Sequence, residues 1–233
     1  QTIVSPVCRS SFEDLASRMA LVATNSGRSA LKSREMLGID TLVYVGNYGL
    51  DMWRGGRVEI EEQAKKYSSV FEGLVAGLGQ HLDKQELVME AKGLSASVHY
   101  RLSRDPKMVR EMILSTLRAI PEAEDLLITE GKLVVEIRPP VSANKGTALR
   151  YLVSQYKLRG VLCLGDDVGD LDAFRALRMC REVGKCLGLS LGVLGEDSPS
   201  DLEQEADLLL RGVDEVEELL QRILELYAVN PQL

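Results

Sequence analysis

The feature that most constrains this chain is a recurring pair, a short unbroken apolar run followed by a helix-like stretch. Met19 to Thr24 and Thr41 to Gly46 are such runs, with a helical pattern from Ser29 to Leu37 between them. Val161 to Leu164, Leu187 to Leu194 and Ala206 to Leu210 continue the series, with a helix around Leu171 to Met179 and an acidic amphipathic helix from Val213 to Tyr227. A strand with one wet face alternates in polarity, whereas a run that is apolar at every position suits a strand covered on both faces. Parallel strands joined by crossover helices supply that cover. The chain is therefore expected to be α/β with a parallel sheet, entered through a helix whose capping box is Ser10 and Glu13.

The middle breaks the rhythm. Val58 to Leu82 reads as one long helix, with Tyr67, Phe71, Leu74, Val75 and Leu78 at helical spacing. Two strand-like stretches follow, Leu87–Glu90 and Ser95–Leu102, then a helix from Pro106 to Ile120. Leu126–Thr129 and Lys132–Ile137 flank Glu130-Gly131, a hairpin signal. The order α-β-β-α-β-β inside a parallel core predicts an inserted α+β cap domain over residues 51–138. Residues 1–50 and 139–233 then form the core, with Asn144 to Leu158 as its next helix.

Composition excludes several classes. A net charge of −7 disfavours a polyanionic partner, so no nucleic acid is expected. No apolar run approaches the ~20 residues that span a bilayer, so no membrane partner is expected. Gln1 to Arg9 lack a signal-peptide pattern, and the four cysteines form no CxxC pair, which together predict a cytoplasmic protein.

Chemistry concentrates in Gly165-Asp166-Asp167-Val168-Gly169-Asp170-Leu171-Asp172, four carboxylates between a strand and a helix. Open parallel sheets bind ligands at the carboxyl ends of their strands. Clustered carboxylates repel one another unless a cation neutralises them, and an oxygen-rich set suits Mg²⁺; the adjacent Asp166-Asp167 pair at the strand end favours such a site. Asp170 and Asp172 also satisfy the simpler role of acids in the first turn of a helix. Lys145 follows a proposed N-cap, Asn144, where a cation is unfavourable unless an anion joins it, and helix N-termini readily bind phosphate. Ser26 ends the first strand and could donate its hydroxyl to a phosphoryl oxygen, or simply cap a helix. A cation, a lysine and a hydroxyl at one sheet edge describe phosphoryl transfer.

These segments stand in the order of a known family. Ser26-Gly27-Arg28, Tyr44-Val-Gly-Asn-Tyr-Gly-Leu50, Lys92-Gly93 with Ser97-Val-His-Tyr-Arg101, Glu136-Ile-Arg-Pro-Pro140, Lys145-Gly146 and Gly165-Asp-Asp-x-x-Asp170 together resemble trehalose-6-phosphate phosphatases of the haloacid-dehalogenase-like superfamily. The resemblance implies a Rossmann-like core with a cap, and Mg²⁺-dependent hydrolysis of a sugar phosphate through an aspartyl-phosphate intermediate. It assigns Ser26, Lys145 and Asp170 to catalysis, and Asp166 and Asp167 to the metal. It places Arg28, Asn47, Lys92, His99, Arg101, Glu136 and Arg138 around the substrate. Without it, alternation puts His99 opposite Val98 and Tyr100 as an exposed strand residue, and Glu136 and Arg138 read as a pair along one face.

Departures accompany the match. Tyr48 stands where the family usually has His, and Asp51 where it has Glu; Gly169 and Leu171 replace a usual Thr and Glu. The family's Asp-x-Asp-Gly-Thr segment, which carries the nucleophile and the acid–base, does not occur ahead of Ser10. The resemblance puts it on a central strand just before Gln1, a segment on the order of 20 residues. Three readings follow: a phosphatase acting on trehalose 6-phosphate, a phosphatase for another glycosyl phosphate, and a non-catalytic sugar-phosphate-binding domain kept for regulation or for assembly with a trehalose-phosphate synthase.

Overall fold

A computed structural model describes residues 4–81, 87–196 and 198–229. The chain divides into two compact units, residues 1–59 with 143–233, and residues 60–142 inserted between them. The second unit thus begins nine residues later and ends four residues later than its expected limits at 51 and 138.

In the first unit the chain runs α1 (Pro6–Ala16), β1 (Ala23–Asn25), α2 (Ala30–Leu37), β2 (Val43–Gly46), β3 (Asp51–Arg54) and β4 (Arg57–Ile60). β1 and β2 pair in parallel, Thr24 opposite Tyr44. β3 then returns antiparallel on β2, giving the order β1-β2-β3-β4. The β3–β4 hairpin, which sequence periodicity assigned to a helix from Val58, turns at Gly55-Gly56, both at positive φ. That dipeptide is a hairpin signal, and Arg54 fastens the strands through two bonds from its guanidinium to Glu59, at 2.8 and 2.9 Å. α1 begins four residues ahead of the expected capping box, because the Ser5 hydroxyl accepts from Val7 and Cys8 N–H and Pro6 occupies the first turn. Ser10 lies within the helix.

The second pass through the first unit follows residue 143: α5 (Lys145–Gln155), β9 (Gly160–Gly165), α6 (Val168–Glu182), β10 (Leu187–Leu194), α7 (Leu202–Glu205), β11 (Leu208–Arg211) and α8 (Gly212–Val229). β9, β10 and β11 pair in parallel with β10 in the middle. α5 and α6 cover one face through Leu149, Val153, Ala173, Ala176 and Leu177, with Val161 and Cys163 of β9 against them. α8 packs through Leu220 and Ile223 on Leu15 and Phe12 of α1. Among the described residues the parallel strands form two sheets rather than one, and β1 and β9 each carry an open edge.

The inserted unit runs α3 (Ser68–His81), β5 (Val88–Ala91), β6 (Ala96–His99), α4 (Pro106–Ala119), β7 (Leu127–Gly131) and β8 (Val134–Arg138). Its expected long helix starts ten residues late, after a 3-10 stretch at Glu62–Tyr67, and the end expected at Leu82 lies outside the described residues. The four antiparallel strands are ordered β5-β6-β8-β7. Phe71, Leu74 and Leu78 of α3 and Val109, Ile113 and Leu117 of α4 bury Val98, Val135 and Ile137. Gly131 pairs with Val134, so the hairpin turns at Lys132-Leu133 rather than at Glu130-Gly131, with Leu133 at φ 59°.

Candidate active site

The first unit gathers its reactive groups at the carboxyl ends of β1, β2 and β9. α5 opens on a capping box in which Asn144 accepts from Thr147 N–H and the Thr147 hydroxyl accepts from Asn144 N–H. Lys145 is the next residue, with only 6% of its side chain exposed. An ammonium at a helix N-terminus is opposed by the dipole, and anions supply the compensation. Its Nζ lies 2.8 Å from Asp170 Oδ1 and 3.5 Å from Asp167 Oδ2. Burial alone would lower the Lys145 pKa, but those two carboxylates outweigh it and hold the pKa above the ordinary lysine value.

Asp170 is buried, and its second oxygen accepts from the N–H groups of Asp166 and Asp167, both at 3.1 Å. Asp167 caps α6, and Asp170 completes the box. The helix-start role that the sequence offered for Asp170 and the anchoring of Lys145, which the sequence did not show, therefore belong to the same carboxylate. Two glycines make the approach feasible. A Cβ on Gly165 would sit 2.3 Å from Asp170 Cγ, and one on Gly146 would sit 2.4 Å from the Asp172 carbonyl oxygen.

Asp166 and Asp167 remain exposed at the head of the loop. Partial burial, and then the charges of Asp170 and Asp167, raise the Asp166 pKa, and the Lys145 charge offsets this only in part. Among the described residues no three His, Cys, Asp or Glu side chains form a metal cage. Two carboxylates at an open loop nevertheless fit Mg²⁺, which takes one or two from a protein and completes its shell with water and phosphate oxygens.

Ser26 reaches the same edge. Asn25, its neighbour on β1, donates from Nδ2 to the Lys145 carbonyl at 2.8 Å, tying the strand end to the start of α5. The Ser26 hydroxyl accepts from Arg28 N–H at 3.1 Å, and both Ser26 and Arg28 are half-buried. Opposite them, Asn47 and Tyr48 take left-handed φ values of 50° and 58°, and Gly49 follows at 98°. Left-handed backbone at residues bearing a Cβ costs roughly 1–2 kcal/mol each, less for Asn, and persists where surrounding contacts fix it. Gly49 was the sequence signal of this turn. Asn47 is fully buried, and its Nδ2 donates to Asp51 Oδ2 at 3.0 Å.

The other residues picked out by sequence lie in the inserted unit, on the sheet face opposite its apolar core. Glu136 accepts from Ser97 Oγ at 2.9 Å and from Lys92 Nζ at 3.5 Å, and Ser97 is fully buried. His99 Nε2 is 3.8 Å from Glu90 Oε2, Arg138 is half-buried on the same face, and Arg101 is exposed beyond β6. The structure thus joins Lys92 with Glu136 directly, and His99 with Glu90, an acid the sequence reading passed over.

The fold is that of the haloacid-dehalogenase-like hydrolases. A solved member from Bacteroides thetaiotaomicron superposes with a TM-score of 0.65 at 11% identity, over 94% of this chain and 92% of that one. Within that class the chain belongs to the trehalose-phosphatase family, whose sequence profile matches residues 1–186. It is 27% identical over 256 residues to "Probable trehalose-phosphate phosphatase G" of Arabidopsis thaliana, covering 97% of this chain and 64% of that protein. It is 29% identical over 212 residues to "Probable trehalose-phosphate phosphatase 4" of Oryza sativa subsp. japonica, covering 86% and 54%. The chain therefore spans less than two thirds of the length of these curated relatives. A solved trehalose-6-phosphate phosphatase related protein has a TM-score of 0.76 at 21% identity, covering 98% of this chain and 90% of that one. The C-terminal domain of a Candida albicans trehalose synthase regulatory protein has a TM-score of 0.63 at 13% identity, covering 94% of this chain and 90% of that one.

Proposed function

We propose that the protein hydrolyses a sugar phosphate, with trehalose 6-phosphate as the substrate its family membership favours. The observation that carries this reading is the buried Lys145 at the mouth of α5, its ammonium gripped by Asp170 and its backbone carbonyl linked through Asn25 to the strand that leads into Ser26. That is a fixed cation and a hydroxyl beside helix N-termini, a cradle for a tetrahedral dianion. Ser26 Oγ donates to one phosphoryl oxygen, Lys145 neutralises another, and Asp170 keeps the lysine charged and aimed. Asp166 and Asp167 would hold Mg²⁺, which when bound shields the phosphoryl charge from an attacking carboxylate.

The nucleophile in this reading is the first Asp of the Asp-x-Asp-Gly-Thr segment typical of the family. Its carboxylate forms a P–O bond as the P–O bond to the sugar breaks, the segment's second Asp gives its proton to the leaving sugar oxygen, and the same Asp then takes a proton from the water that cleaves the aspartyl phosphate. Arg28 contacts the phosphoryl group, Lys92, His99, Arg101, Glu136 and Arg138 give the inserted unit a polar set suited to sugar hydroxyls, and Asn47 acts at one remove. Four unpaired thiols suit a reducing compartment, and we place the protein in the cytoplasm. Among the described residues no helix is long and apolar enough to cross a membrane.

The test is Mg²⁺-dependent release of inorganic phosphate from trehalose 6-phosphate by the natural full-length protein, lost in Lys145→Ala. A folded full-length protein that releases none from a panel of sugar phosphates refutes it. The changed residues Gly169 and Leu171 in the acidic motif, together with the fold shared with a regulatory protein's domain, favour one second reading. In it the protein binds the sugar phosphate without turnover and partners a trehalose-phosphate synthase. Calorimetric binding with no hydrolysis, and co-elution with the synthase, would select it.

A further inference from the structure

A buried carboxylate outside this chemistry organises the loop that carries Ser26. Asp51, the first residue of β3, is 8% exposed. Its Oδ1 accepts from Ala30 N–H in the first turn of α2 at 3.2 Å, and its Oδ2 accepts from Asn47 Nδ2 at 3.0 Å. Both donors border the Ser26 loop. Asn47 N–H donates to the Arg28 carbonyl at 2.7 Å, and Tyr48 N–H donates to the Ser26 carbonyl at 3.0 Å. The Tyr48 ring lies so close over Gly27 that a Cβ there would be 2.6 Å from its Cζ. Gly46 is equally constrained, since its Cβ would meet Asp51 Oδ1 at 2.3 Å and Ala30 N at 2.0 Å. One carboxylate therefore links the left-handed turn, the helix start and the anion loop.

We propose that Asp51 is a positioning residue which, through Asn47 and the first turn of α2, holds Ser26–Arg28 and Tyr48 as one preformed oxyanion-binding unit. The proposal rests on the reading of Ser26 as a phosphoryl ligand and assigns Asn47 to support of that loop rather than to direct contact with substrate. It also gives the loop a pH response. Burial pushes the Asp51 carboxyl up to about 6, against the donors Ala30 N–H, Asn47 Nδ2 and its own N–H. The charged and titratable groups on the surrounding elements are engaged elsewhere or sit on the loop itself. Lys32 pairs with Glu35, Arg34 covers the Trp53 ring and pairs with Asp40, and the Tyr44 hydroxyl donates to the Ile39 carbonyl. On β3 and α5, Arg54 pairs with Glu59 and Lys145 with Asp170, while Arg28 belongs to the loop. Opening the loop hydrates Asp51 and returns it toward its ordinary pKa, so the closed form is favoured below about pH 6 and loosens as pH rises through it.

Amide hydrogen exchange and sulfate calorimetry test this together, sulfate being a tetrahedral dianion that does not titrate near neutrality. In the wild type, protection of the Asn47 and Tyr48 amides, corrected for intrinsic exchange, should fall about tenfold between pH 5 and 7.5. The β9–β10 amides should not follow. Asp51→Asn should flatten that profile, Asn47→Ala should lower protection of both amides, and each should weaken sulfate about tenfold. Profiles of Asp51→Asn that superimpose on the wild type overturn the proposal. Sulfate affinity indifferent to Ser26→Ala overturns the functional reading instead, leaving the exchange result to judge the clamp alone.

Discussion

Replacing Gly146 by Ala sets two effects of opposite sign against each other. Gly146 is the second residue of α5, and alanine is the better helix former by up to about 1 kcal/mol. Acting alone, that gain would raise the melting temperature by ~2–4 °C in a chain of this size. The new methyl, however, would lie 2.4 Å from the Asp172 carbonyl oxygen and 3.2 Å from Ala176 Cβ, both on α6. The first obstacle is helix backbone, so relief requires α5 and α6 to separate by nearly 1 Å. Forcing a methyl into a closed contact costs typically 1–3 kcal/mol, which exceeds the propensity gain. The expected net is a loss of about 1–2 kcal/mol, read as a fall of ~3–6 °C in a thermal scan. Because Lys145 adjoins the contact and its partner Asp170 lies on α6, sulfate affinity should weaken in parallel. A Gly146→Ala protein that melts higher than the wild type would refute the close-approach argument.

Lys145→Met should destabilise by about 3–5 kcal/mol by leaving the buried Asp170 without its cation, and Lys145→Met/Asp170→Asn should recover part of that; strictly additive losses would show that the pair is not coupled. Asp51, with its folded pKa raised to about 6 from 3.8, contributes stability that is complete below about pH 4 and is lost as pH rises through 6. Asp51→Asn should remove a pH-dependent component on the order of 2–3 kcal/mol from urea titrations across that window, and an unchanged slope would contradict it. At Asp207 burial acts upward, but Arg181 and the N–H and hydroxyl of Ser190 outweigh it and bring the pKa to about 2. Its stabilisation is present above pH 4 and disappears as pH falls toward 2, so Asp207→Asn should lose stability at neutral pH and converge with the wild type in acid. Phe174→Ala, which empties a fully buried site between Leu171 and Leu202, should cost about 3–5 kcal/mol by denaturant unfolding.

Elements with an unambiguous period were legible from the sequence. β9, β10, α4, α5 and α6 lie within a few residues of where apolar runs and Pro106, Asn144 and the acidic turn place them, because burial on both faces or on one stripe leaves a pattern in composition. Lys145 and Asp170 were each legible at the start of a helix because such positions are local facts, but their pairing, and the capping of α6 by Asp167, were not. The β3–β4 hairpin was hidden because Val58 and Ile60 lie close enough to the next apolar stretch to imitate a helix, and tertiary pairing with β2 decided otherwise. Helix capping likewise moved α1, since Ser5-Pro6 outcompetes Ser10 at its start.

What the sequence alone determined is the chemistry available at the strand ends: a lysine, a serine and four acids, with family motifs in a fixed order. The tertiary structure decided which of them meet. Asp170 is 25 positions from Lys145, yet Gly146 and Gly165 let α5, α6 and β9 converge until the two side chains are 2.8 Å apart. The sequence marked Asn47 as a substrate contact and Asp51 as a departure from the family motif, and only the fold shows that both are removed from water and bonded to each other. A side chain's charge and hydrogen-bonding capacity are written in the sequence, but burial and the distance to a partner are set by long-range packing, and these two quantities decide what a carboxylate does.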